Sequence, residues 1–115
     1  VVSDGLRKVL ERGDGVGELL GEHATSGFAE HVICGDQVQM SVRANDGHLQ
    51  EVRWRASGCP ASMAIAALAA EVLHDVAIAD VEAVLHEAIT SRGGLKRHEH
   101  HAEKMVLRAL HEALS

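Results

Sequence analysis

Cysteine, proline and aromatic residues are all scarce in this chain of 115 residues: two cysteines, one proline, one tryptophan, one phenylalanine and no tyrosine. Two cysteines are too few for the disulfide framework of a small secreted scaffold, so thiol or metal chemistry is the expected use of Cys34 and Cys59. Phe28 and Trp54 cannot make a base-stacking platform, and a formal net charge of -6 opposes general binding to nucleic acid. No segment approaches the roughly 20 unbroken apolar residues of a membrane span. The longest apolar run, Met63 to Ala70, is mostly alanine and ends at Glu71. Val1-Val2-Ser3-Asp4-Gly5 offers no apolar stretch of the signal-peptide kind, and a cytoplasmic location is expected.

What is present is ordinary for a globular protein, with 46% hydrophobic and 24% charged residues, and a length that fits one domain over 1–115. Histidine is the exception. There are nine, and three of them crowd into His98-Glu99-His100-His101. The others, His23, His31, His48, His74, His86 and His111, are scattered; His31 stands out only for its nearness to Cys34.

Periodicity predicts the elements. Leu6, Val9 and Leu10 recur at helical spacing over 3–12, with Ser3 or Asp4 as cap. Glycines at 13, 15, 17 and 21 make 13–22 a loop, and 24–32 is a weak first strand. Over 37–44, Val38, Met40 and Val42 alternate with polar residues, the period of a sheet with one wet face. Asn45-Asp46-Gly47 signals a hairpin turn, and the return strand 48–55 puts Val52 and Trp54 on one face against Glu51, Arg53 and Arg55 on the other. Helices follow at about 60–75, with Pro60 in the first turn, at about 78–91 with Ile78, Val81, Leu85 and Ile89, and at about 98–114 with Ala102, Val106, Leu110 and Leu114. Arg92-Gly93-Gly94 ends the second of these. The order predicts an α+β fold, an antiparallel sheet covered on one face by helices.

Two short motifs can carry chemistry. Cys34-Gly35-Asp36 opens a strand, and its thiol and carboxylate can converge on one cation. Gly58-Cys59-Pro60 sits where the return strand meets a helix, and unpaired N–H groups at a helix start favour a thiolate there. One hairpin spans the interval between them, so both cysteines are expected at the same end of the sheet. A nucleophile elbow or a phosphate loop is not found, although Ser62 follows Cys59 closely.

Cys34-Gly35-Asp36 before a strand, then a hairpin, then Ser57-Gly58-Cys59-Pro60-Ala61-Ser62-Met63-Ala64, resembles the iron–sulfur cluster assembly scaffolds of the IscU, SufU and NifU N-terminal type, over residues 24–114. The second motif is nearer the SufU-like members. The resemblance implies a three-stranded antiparallel sheet with helices packed on one side and a short N-terminal helix. It implies three cysteines and an aspartate that hold a transient 2Fe-2S cluster or zinc. It also implies a cysteine desulfurase as sulfur donor and apo iron–sulfur proteins as acceptors. Cys34, Asp36 and Cys59 match the first cysteine, the aspartate and the second cysteine.

The third cysteine is missing. Matching the apolar row of the last helix puts Ala102 at that cysteine and His101 at the histidine that precedes it in IscU-like members; a slip of one residue puts His101 at the cysteine itself. His101 is therefore the expected fourth ligand, with His100, His98 and His31 as other candidates. Two thiolates, a carboxylate and an imidazole suit tetrahedral zinc, and histidine can also ligate cluster iron. A histidine cannot carry a persulfide, so any sulfur accepted goes to Cys34 or Cys59. The chain has Ser91-Arg92-Gly93-Gly94-Leu95-Lys96 in place of the Leu-Pro-Pro-Val-Lys chaperone motif, and no chaperone of that kind is expected. Three functions follow: a cluster scaffold or carrier, a zinc-dependent sulfurtransferase, or a relative that keeps only a structural zinc.

Overall fold

The computed structural model describes all residues except Val1, Glu22, Val32 and Cys34. Helix α1 (Asp4–Arg12) is followed by strands β1 (Ala24–His31), β2 (Asp36–Asn45) and β3 (His48–Ser57). Helix α2 (Pro60–Val72), the short strand β4 (Val76–Ala77), helix α3 (Val81–Ser91) and helix α4 (His100–Leu114) complete the chain. These four strands pair antiparallel in the order β1-β2-β3-β4. Among the described residues, no helix is long and apolar enough to cross a membrane.

The alternation expected in β2 and β3 is what orients the sheet. Val38, Met40, Val42, Val52 and Trp54 are buried under the helices. The opposite face carries the polar partners, with Arg43 paired to Glu51 and the Ser26 and Ser41 hydroxyls 2.8 Å apart. The hairpin is not uniform. Arg43 faces Glu51 but Ala44 faces Leu49, which leaves Gln50 as an extra residue in β3. That bulge turns Leu49 onto the core face, three residues from Val52, and buries it completely.

Helix α2 is the centre of the core. Nine of its residues, from Ala61 to Ala70, are buried, so it is apolar on all sides and packs on β3, α1, α3 and α4. Its alanines allow this close approach. Ser3 caps α1 by accepting the Leu6 N–H, and Pro60 occupies the first turn of α2. Helix α4 lies over β1 at Gly27, where a Cβ would collide with the Ala109 carbonyl and the Ala113 nitrogen. Its buried row is Ala102, Met105, Val106, Ala109, Leu110 and Ala113, with Leu114 only half-buried.

The sheet has four strands where the family resemblance implies three. The helix expected over 60–75 stops at Val72 because Asp75 takes a positive φ of 60°, which aspartate tolerates better than most side chains. The chain then turns back onto the start of β3, with Asp75 N–H donating to Leu49 O and Ile78 N–H to Gly47 O. Val76 and Ala77 complete this edge. The glycine-rich loop also pairs with β3: Trp54 N–H donates to Gly15 O, Gly17 N–H to Trp54 O, and the Trp54 indole to Asp14 O at 2.8 Å. A short 3-10 turn precedes each of α3 and α4, so both begin a little later than the apolar pattern suggests.

Candidate metal centre

Asp36 begins β2, and the end of the hairpin brings Gly58 and Cys59 beside it. Gly58 is the tight point. Its φ is 115°, and a Cβ there would fall under 3.0 Å from the Asp36 Cα and Cγ. Glycine is required by both backbone conformation and space. The turn aims the Cys59 N–H at Asp36 Oδ1, 2.9 Å away, and leaves Cys59 as the residue that opens α2.

His101 arrives from the first turn of α4. The turn before it is held by Glu99, a buried carboxylate that accepts the Lys96 N–H at 2.9 Å. His101 Nδ1 lies 3.1 Å from the His98 carbonyl oxygen, and Nε2 lies 3.0 Å from Asp36 Oδ2 and 3.6 Å from Cys59 Sγ. Protonated at both nitrogens, the ring donates to both oxygens. Without a proton on Nε2 it keeps its Nδ1–H on the His98 carbonyl and turns a lone pair toward Asp36 and Cys59. Fixing one ring nitrogen so that the other is presented is how metal-binding histidines are oriented.

One ligand atom each from Asp36, Cys59 and His101 therefore lies within 4.8 Å of the other two. Asp36 is 1% exposed, while the other two are half-buried and border a cleft of about 360 Å³ that also reaches Pro60 and Ala61. Burial alone pushes the Asp36 carboxyl up. The bonds it accepts from the Cys59 side chain and N–H, from His101 and from Ser62 outweigh this and hold it below its ordinary value of 3.8. A depression of similar size on the polar face of the sheet, between Phe28 and Arg55, has no cysteine, histidine or carboxylate among the described residues of its lining.

Of the residues singled out in the sequence, Asp36, Cys59 and His101 meet, and Cys34 lies outside the described residues. His31 sits directly across the sheet from Asp36, and its ring centroid is 4.8 Å from that of His101. His98 contributes its backbone carbonyl to the site, and the His100 ring turns instead to Leu95 O at 3.3 Å. Sequence reasoning missed Ser62 as a site residue. It is fully buried, and its hydroxyl donates to Asp36 Oδ2 at 3.2 Å. The available signal is its place one helical turn after Cys59.

The fold and this geometry define a class: a helix-covered antiparallel sheet that presents sulfur, oxygen and nitrogen donors at one end. More particularly, the chain belongs to the NifU-like N-terminal domain family, whose model matches residues 9–115. It is 24% identical over 106 residues to the iron-sulfur cluster assembly scaffold proteins IscU 1 and IscU 2 of Archaeoglobus fulgidus, covering 91% of this chain and 63% of each relative. It is 36% identical over 92 residues to the bifunctional protein NifU/MnmA of Rubrobacter xylanophilus, covering 76% of this chain and 18% of that one. The chain thus spans under two thirds of the length of these relatives. Its fold matches the crystal structure of the SufU protein of Fervidobacterium islandicum with a TM-score of 0.77 at 15% identity, over 98% of this chain and 96% of that one. It matches the NifU-like N-terminal protein of Brucella abortus with a TM-score of 0.74 at 12% identity, over 96% and 90% of the two chains.

Proposed function

We propose that this chain is an iron–sulfur cluster assembly scaffold or carrier, with Cys34, Asp36, Cys59 and His101 holding a transient 2Fe-2S cluster or a zinc ion as cargo. The observation that carries this reading is the meeting of Asp36, Cys59 and His101 within 4.8 Å. Family membership and the scaffold relatives support it. A cysteine desulfurase would supply sulfur and apo iron–sulfur proteins would receive the product, both in the cytoplasm.

Each residue has a distinct part. The cysteines supply thiolates, the natural ligands of iron and zinc. Asp36 is a hard oxygen donor on a thiophilic cargo, a combination that favours release. His101 supplies the fourth ligand in the absence of a third cysteine, and its Nε2 loses its proton to become one. Sulfur arrives when the thiolate of Cys34 or Cys59 bonds to the sulfane sulfur of the donor's persulfide, and the donor cysteine leaves as a thiolate.

A second reading is a zinc-dependent sulfurtransferase. What favours it is the mixed set of nitrogen, oxygen and sulfur donors around a space the size of one ion. Anaerobic incubation with iron, cysteine and a desulfurase separates the two. Charge-transfer absorption with equal iron and sulfide in the wild type, lost in His101→Ala, is the result expected of the scaffold. A colourless protein holding only zinc would remove the scaffold reading, and sulfane sulfur on one cysteine would then mark a sulfurtransferase.

A further inference from the structure

Ser62 is a buried polar group at the site that these roles leave unused. It lies in the first turn of α2 with no exposed surface. Its oxygen is 3.2 Å from Asp36 Oδ2, 3.5 Å from Cys59 Sγ and 4.0 Å from Met105 Sδ. A helical serine commonly turns its hydroxyl onto a carbonyl of the preceding turn; this one turns to a carboxylate.

We propose that Ser62 is the positioning residue that sets Asp36 as a ligand; this rests on the metal-centre reading above. Three donors reach the carboxylate besides the Cys59 thiol. Oδ1 accepts the Cys59 N–H, and Oδ2 accepts from both His101 Nε2 and Ser62. When His101 gives its Nε2 lone pair to a metal and Cys59 binds as a thiolate, neither side chain has a proton for Asp36. Ser62 is then the remaining donor to Oδ2 among the described residues. It holds one lone pair of that oxygen and leaves the other facing Cys59 and His101. Without it the carboxylate is anchored through Oδ1 alone and can turn away about its Cβ–Cγ bond. A partner that orients a ligand in this way is worth about 10–100-fold in metal affinity.

The experiment is a zinc competition titration against a chromophoric chelator on wild type, Ser62→Ala, Asp36→Ala and the double variant, with cobalt spectra of each. Alanine fits the space and the helix, and the metal-free melting curve reports folding separately. Ser62→Ala is expected to raise the zinc Kd about tenfold and to alter the cobalt d–d bands. In the Asp36→Ala background the same substitution should change nothing, because the group it acts through is gone. Wild-type zinc affinity in Ser62→Ala would overturn the inference. So would an equal loss with and without Asp36, which would mean that Ser62 acts through Cys59 or through packing. A wild-type protein that binds neither zinc nor cobalt would bring down the metal-centre reading itself, and this inference with it.

Discussion

Replacing Gly58 by alanine attacks the site through the backbone. The residue sits at φ 115°, and an added Cβ would meet the Asp36 Cα and Cγ under 3.0 Å. The conformation alone costs about 1–3 kcal/mol for a residue with a side chain. Overpacking at a filled position costs about 1–3 kcal/mol more. A loss near the middle of the combined range, about 4 kcal/mol, lowers the melting temperature of a domain this size by about 16 °C. The carboxylate must also give way, since Asp36 is nearly inaccessible and cannot swing into solvent without breaking its bonds to Cys59 and Ser62. Zinc affinity should therefore fall along with stability. Gly47→Ala is the matched control. Gly47 has a φ of 77° with nothing within 4 Å of an added Cβ, so it bears the backbone cost without the collision. Thermal melts followed by circular dichroism, with zinc titrations on the same samples, test both. If Gly58→Ala melts like Gly47→Ala and keeps wild-type zinc affinity, the reasoning about Gly58 and Asp36 is wrong.

Gly27→Ala should destabilise the chain by about 1–3 kcal/mol, because the new Cβ meets backbone atoms of Ala109 and Ala113 that cannot rotate aside; a melting temperature less than about 4 °C below wild type, the smallest shift such a loss allows, would contradict the close packing of α4 on β1. Truncating Leu68 in the enclosed helix α2 should cost about 2–5 kcal/mol by chemical denaturation, since the residue has no exposed surface. Asp36 titrates below its ordinary value in the folded chain, so the folded state binds its proton less readily than the unfolded one. Its contribution to the metal-free chain is therefore complete above pH 3.8 and is lost as the pH falls through the depressed folded value. Acid titrations of the wild type and Asp36→Asn should converge only in that range; curves that stay parallel down to full acid unfolding would show that Asp36 carries no such linkage.

The elements that were legible in the sequence are those set by local rules. Alternation in Val38, Met40 and Val42 and the Asn45-Asp46-Gly47 turn specify the hairpin, since side chains on a strand must choose opposite faces. The all-round apolar character of Ala61 to Ala70 marks a helix with no solvent face. The hairpin, which goes out and returns, predicts Cys34 and Cys59 at one end of the sheet; Cys34 lies outside the described residues, and Asp36, two residues on, meets Cys59. His101 was reached by aligning the apolar row of the last helix with a family pattern, and its ring is 3.0 Å from Asp36. Strand β4 was illegible because two residues carry no period. Its formation depends on Asp75 taking a positive φ and on partners near residue 48, far away in sequence.

The sequence by itself determined the three long strands, the helices and the end of the sheet where chemistry-bearing residues collect. These depend on side-chain period and on turn residues, which are properties of neighbours in the chain. Only the tertiary structure decided how the donors are held. The approach of His101 Nε2 to Asp36, the three-way sharing of the Asp36 carboxylate, the entry of Ser62 and the Gly27 contact with α4 all join elements from different parts of the chain. Distances of this kind follow from how α2 and α4 settle on the sheet, and no local pattern encodes them.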